Sequence, residues 1–177
     1  MTKIFLDAGH GGFNPGAIGA NGLEEAPTNL DIVLKLGRIL ESWGYQVAYS
    51  RTTDVYLSLE DRAIKANNWG ADYFISVHCN ANPNTALGGT STFYYNKRAI
   101  TERFALVVNN ALVEQIQLRD IGIFTADFAV LRLTRMSAIL VEVAFLSNPY
   151  EESLLATNSF RQNCALGIAN GVAEFTT

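Results

Sequence analysis

The chain holds only two histidines, His10 and His78, and each follows an apolar run suited to a buried strand. His10 comes after Ile4, Phe5 and Leu6 and stands among Gly9, Gly11 and Gly12, which allow backbone conformations that other residues resist. His78 closes the run at 73–77 and is followed by a loop sequence, Asn80, Ala81, Asn82 and Pro83. A further apolar run at 139–143 is interrupted by a single carboxylate, Glu142. In an open α/β sheet, ligands gather at the carboxyl ends of the strands, so His10, His78 and Glu142 can converge there. A carboxylate from the loop at 13–25, with Glu24 and Glu25 both in place, completes a two-histidine, one-glutamate set. Three protein ligands leave one tetrahedral position for water, a common arrangement for catalytic zinc. Beside such a water, Glu142 can take its proton as general base and return it to a leaving nitrogen.

Each residue also has a plainer reading. A histidine after a strand can be a hydrogen-bonded loop residue. Glu24 and Glu25 can simply be acidic residues ahead of a helix, favoured by its dipole. Glu142, costly to bury unless compensated, can form an ion pair with Arg51, Arg62 or Arg132. Cys79 points opposite to His78 by strand alternation, which removes it as a ligand. The spacing of Cys79 and Cys164 matches no disulfide framework or metal pattern, so both read as free thiols.

The elements that must position these side chains follow from periodicity. Residues 27–43 carry Leu30, Val33, Leu34, Leu36, Ile39 and Leu40 at helical spacing, with Pro27 in the first turn and Gly44 after the end. Residues 45–50 read as a second strand, giving strand, helix, strand and a right-handed parallel crossover. Ser58 and Asp61 have the spacing of a capping box for a helix ending near Trp69 and Gly70. Residues 89–95 alternate like a half-buried strand, 98–115 read as helix, and 120–131 give only short strand pieces. Closing helices fall at 150–155 and 159–175. The expected fold is a single α/β domain over residues 1–177, with a mostly parallel twisted sheet of five to six strands and helices on both faces.

With 177 residues, 49% of them hydrophobic, the chain can build one core. The net charge of -4 comes from scattered residues, and no basic run follows a phosphate backbone, which argues against a nucleic-acid partner. Neither a membrane-length apolar segment nor the pattern of a signal peptide is visible, so no membrane association is expected.

Several separated motifs then agree at once. Leu6-Asp7-Ala8-Gly9-His10-Gly11-Gly12, Asn14-Pro15-Gly16-Ala17, Gly22-Leu23 with Glu25 and Asn29-Leu30, Ser50-Arg51-Thr52 with Leu59 and Arg62, Ser76-Val77-His78-Cys79-Asn80-Ala81, and Val141-Glu142 with Phe145-Leu146-Ser147-Asn148-Pro149 occur in order. Together they resemble the zinc-dependent N-acetylmuramoyl-L-alanine amidases of the amidase-3 type, bacterial and phage cell-wall hydrolases. Val143-Ala144 departs from the small residue and glycine many members have there, and Pro27 is unusual in the early helix.

The resemblance implies that His10, Glu25 and His78 hold one zinc ion per chain and that Glu142 is the catalytic glutamate. It also implies Glu25 in preference to Glu24, from its place three residues after Gly22 and four before Asn29. The reaction implied is hydrolysis of the amide between the lactyl group of N-acetylmuramic acid and L-alanine of the peptidoglycan stem peptide. A polymeric substrate implies an open groove, and no insertion between His78 and Glu142 is long enough to suggest an autoinhibitory helix. The expected protein is a monomer acting at the bacterial cell wall, as an excised secreted domain, a mother-cell lytic enzyme or a phage endolysin. Two competing readings are a zinc peptidase cutting stem-peptide cross-links and a catalytically silent wall-binding domain.

Overall fold

A computed structural model describes residues 1–95 and 98–177. Six strands form one sheet: β1 (Lys3–Ala8), β2 (Gln46–Tyr49), β3 (Tyr73–Asn80), β4 (Thr90–Tyr94), β5 (Asp120–Thr125) and β6 (Ser137–Phe145), in spatial order β2-β1-β3-β6-β4-β5. β2, β1, β3 and β6 are parallel neighbours, whereas β4 runs antiparallel to β6 and parallel to β5. The reversal follows from the short loop after β3, which turns the chain straight back down the sheet. The sheet is therefore mostly parallel, as expected. β4 is more covered than its alternation indicates, because it is held between β6 and β5.

Among the described residues, six helices flank it: α1 (Glu25–Ser42), α2 (Leu59–Trp69), α3 (Ala99–Ile116), α4 (Ala129–Arg132), α5 (Pro149–Leu155) and α6 (Asn158–Thr176). α1, α3 and α6 cover one face, where Ile4, Leu6, Ile75, Val77, Ile139 and Val141 meet Leu36, Val108 and Ile168. α2 and α4 cover the other, packing Ala66, Val130 and Leu131 on Phe5, Phe74 and Leu140. The sequence signals hold locally. Ser58 Oγ accepts from Asp61 N at 3.0 Å to cap α2, and Gly70 ends it with φ 70°. Asn148 Oδ1 accepts from Tyr150 N and Glu151 N at the start of α5, where Pro149 occupies the first turn.

This topology creates the site. From β1 the chain crosses through α1 to β2 on one side, and then returns through α2, past β1, to β3 on the other. The crossover that leaves β1 through α1 and the crossover that enters β3 through α2 lie over opposite faces, so the strand order reverses at β1 and a crevice opens at the carboxyl ends of β1 and β3. On the α2 face of the sheet, side chains change from apolar to polar along the strands: Phe5 to Asp7, Phe74 through Ser76 to His78, Leu140 to Glu142.

Candidate metal centre

His10, Glu25 and His78 meet at the carboxyl edge of β1 and β3, each offering a ligand atom within 4.8 Å of the others. His10 reaches the site because it adopts φ 61°, a left-handed conformation uncommon for a residue with a Cβ. Gly9 N donates to Val77 O at 3.1 Å, tying the loop to β3, and a Cβ at Gly9 would fall 2.2 Å from the His78 ring. Glycine at that position is thus required by close approach of an imidazole.

Glu25 is the first residue of α1, turned inward and 4% exposed. Its Oε2 lies 3.1 Å from His10 Nε2 and its Oε1 lies 3.0 Å from His78 Nδ1. It also accepts from Ala17 N at 2.9 Å, Cys79 N at 3.2 Å and Asn29 Nδ2 at 3.2 Å. Burial opposes ionisation of this carboxyl. The hydrogen bonds from both histidines, the charge on His78 and the Ala17 amide outweigh it and hold Glu25 far below the usual carboxylate range. His78 shows the converse balance, burial lowering its pKa while the bond to Glu25 and the charges of Glu142 and Glu25 raise it. Glu24, left open beside Glu25 on residues alone, is the exposed N-cap of α1 and lies outside the cluster.

Asn14 Oδ1 accepts from His10 Nδ1 at 3.2 Å and from Gly16 N at 3.1 Å. That bond places a proton on Nδ1 and turns Nε2 toward Glu25, the kind of partner that fixes the tautomer of a metal-binding histidine. Beneath the loop, two buried arginines bind backbone carbonyls. Arg51 donates to Ala8 O, Gly9 O, Ala26 O and Thr53 O, and Arg62 to Ala8 O, His10 O and Leu57 O. Arg62 also pairs with Asp7 at 2.8 Å, and Ser76 Oγ donates to the other Asp7 oxygen at 2.6 Å. Burial alone would raise the Asp7 pKa, but Arg62 and the hydroxyl bonds bring it below the ordinary value.

Glu142 projects from β6 directly beside His78, its register partner on β3. The arginines that offered it a structural ion pair are engaged elsewhere: Arg51 and Arg62 as above, and Arg132 with Asp127. Its buried Oε2 accepts no hydrogen bond. Burial pushes the carboxyl up to about 7, with His78 lowering, Glu25 raising and His10 lowering it. Together with His10, His78 and Asn14 it lines a groove of about 410 Å³, whose opposite wall includes Phe128, Ala129 and Val130.

The donor set fits a metal ion. Two imidazoles and one carboxylate converge without an intervening side chain, and Gly16 leaves the space a Cβ would fill 2.5 Å from Glu25 Oε2. The orphaned Glu142 oxygen points the same way, because an unpaired buried carboxylate is costly unless a cation or a proton donor compensates it.

Three contributors escaped the sequence reading. Glu152 of α5 accepts from Asn21 N, Asn21 Nδ2 and Leu23 N, clamping the loop that leads into Glu25 across 131 residues of sequence. Glu151 accepts from Phe145 N at 2.5 Å, anchoring the end of β6. The single turn of α4, within a stretch expected to give strand pieces, builds the groove wall. The Ser-Asn-Pro turn marked the start of α5, but nothing in its sequence separates Glu151 and Glu152 from ordinary helix-start carboxylates.

Comparison with known proteins identifies relatives across the whole chain. A family profile described as N-acetylmuramoyl-L-alanine amidase matches residues 4–174. The sporulation-specific N-acetylmuramoyl-L-alanine amidase of Bacillus subtilis strain 168 is 42% identical over 176 residues, spanning 98% of this chain and 68% of that protein. An endolysin of Bacillus phage SPP1 is 42% identical over 183 residues, spanning 98% and 66%. The crystal structure of N-acetylmuramoyl-L-alanine amidase from Clostridium difficile 630 superposes with a TM-score of 0.96 at 38% identity, covering 99% of this chain and 96% of that one. By sequence and by fold, the chain belongs to the N-acetylmuramoyl-L-alanine amidase family.

Proposed function

We propose that residues 1–177 form a catalytic domain that uses one zinc ion, held by His10, Glu25 and His78, to hydrolyse the amide between the lactyl group of N-acetylmuramic acid and L-alanine of peptidoglycan. Family membership supports the bond cleaved. The observation that carries the mechanism is Glu142, a half-buried residue with a buried, unpartnered Oε2 in the same groove as both histidines. Bound zinc supplies Lewis acidity toward the scissile carbonyl and acidifies water.

The chain's own groups do the rest. Asn14 holds the His10 ring with Nδ1 protonated, and Asn29, Ala17 and Cys79 orient the Glu25 carboxylate. Glu142 in its ionised form takes a proton from the attacking water on Oε2 and returns it to the departing alanine nitrogen, so the products are a lactyl carboxylate and a free amine. The site acts at the bacterial cell wall, on a polymer that enters an open groove, and the protein works as a monomer without nucleic-acid or membrane partners. Among the described residues, no helix is long and apolar enough to cross a membrane.

Digestion of purified peptidoglycan, followed by mass analysis, tests the reading. The expected products are peptides with a free L-alanine amine and glycans with intact lactyl groups, abolished by chelator and restored by zinc. Undiminished release in chelator would sink the zinc mechanism, and cleaved cross-links with intact lactyl amides would identify a peptidase. Wall binding without turnover in the unaltered protein would identify a silent binder.

A further inference from the structure

Phe13 and Tyr56 form an aromatic pair that neither the core nor the hydrolytic step uses. Their rings stack with centroids 4.2 Å apart and planes 27° from parallel, yet Phe13 is 80% exposed and Tyr56 46%. The two loops that carry them are locked together. Gly12 N donates to Asp54 Oδ1 at 2.8 Å, and a Cβ at Gly11 or Gly12 would meet Val55 O at 2.3 Å or Tyr56 N at 2.6 Å. The platform is therefore fixed before a ligand arrives, which lowers the ordering cost of binding. Tyr56 also lines the groove that holds His10, His78 and Glu142, so the platform runs from the reaction centre out to solvent.

We infer that the Phe13–Tyr56 pair is a glycan subsite, on which a sugar ring of the strand bearing the cleaved lactyl amide stacks; this rests on the amidase reading above. The faces of aromatic rings are negative, and the C–H groups on one face of a pyranose are weakly positive, so the two surfaces match without formal charge. The stem peptide is the other part of the substrate that could lie here, but it carries carboxylates beyond its first alanine. Asp54, held beside the platform by Gly12, repels those groups and leaves neutral N-acetyl sugars unaffected.

The test compares the zinc-loaded protein with Phe13→Ala and Phe13→Trp, titrating each with peptide-free glycan strands and, separately, with free stem peptide. Phe13 is exposed, so its truncation leaves the core intact, which circular dichroism verifies. The expected result is a loss of roughly fivefold or more in glycan affinity for Phe13→Ala, the scale of one aromatic stacking contact. Stem-peptide affinity stays level, KM on glycan-linked substrate rises more than kcat falls, and Phe13→Trp restores binding. No glycan binding by the unaltered protein, equal glycan affinity in Phe13→Ala, or a loss confined to the stem peptide would each overturn the subsite. Glycan binding that depends on Phe13 in a protein that releases no L-alanine amine would count against the amidase reading alone.

Discussion

Glu142 and Glu25 are two carboxylates in one site whose surroundings drive them in opposite directions. Glu25 receives hydrogen bonds from both histidines and three other donors, so it stays ionised, whereas Glu142 has a buried oxygen with no donor and is pushed up to about 7. Separation of this kind is what the proposed reaction requires, with one carboxylate for binding and the other for proton transfer. The sign of the pH effect follows. Glu142 serves as base only when ionised, so activity is present above its pKa and is lost as pH falls through it. A bound dication lowers that value, which places the midpoint of the acid limb at or below about 7. With zinc saturating at every pH, kcat/KM should decline through this limb, and a profile still flat at pH ~3, below the ordinary range of a glutamate, would exclude Glu142 as the base. Glu142→Gln should lower kcat by about 10² to 10⁴, the usual contribution of a positioned general base, while zinc content measured by atomic emission stays at that of the unaltered protein.

At the scale of elements, the site depends on how closely the loop after β1 approaches the end of β3. Gly9 shows the constraint in isolation, since a Cβ there would lie 2.2 to 2.6 Å from three atoms of the His78 ring. Gly9→Ala should displace that imidazole. Zinc affinity should fall by roughly 10-fold or more, on the scale of disturbed metal-ligand positioning. The circular dichroism spectrum should remain that of the folded protein, and unaltered zinc affinity by competition with a chromophoric chelator would refute the constraint. The same elements explain what could be read in advance. His10, His78 and Glu142 were legible because each ends or interrupts an apolar run, and strand ends of a parallel sheet share an edge. Glu25 was not separable from Glu24 by periodicity, because the two are adjacent and α1 begins between them; only the family motif chose. The Glu152 clamp was illegible because its partners Asn21 and Leu23 are remote in sequence. The turn of α4 is too short to show a helical period. The direction of β4 depends on a pairing with β6 that no local pattern encodes.

Across the whole molecule, the three proposed ligands come from the loop after β1, the start of α1 and the end of β3, so a metal ion bound there would tie together segments from residue 10 to residue 78. The unfolded chain has no such cluster, and binding to the folded state alone raises stability by about 2.7 kcal/mol when free zinc is 100 times its dissociation constant. For a domain of this size, each kcal/mol moves the melting temperature by roughly 2 to 4 °C, so zinc should raise it by about 5 to 11 °C over the metal-free protein. Scanning calorimetry with chelator and with zinc measures the shift. Replacing His10 by alanine should abolish the zinc-dependent part while leaving the metal-free transition nearly in place, because His10 is half-buried on a loop and lies outside both hydrophobic clusters. A rise that persists in His10→Ala would locate the stabilising ion elsewhere. An absent rise in the unaltered protein would mean that the His10, Glu25 and His78 cluster does not hold the metal strongly enough to serve the reaction. The other ties of the loop, hydrogen bonds from Arg51 and Arg62 to its carbonyls and from Asn21 to Glu152, form without a metal. The melting shift therefore reads the ion's own contribution and not the collapse of an unformed site.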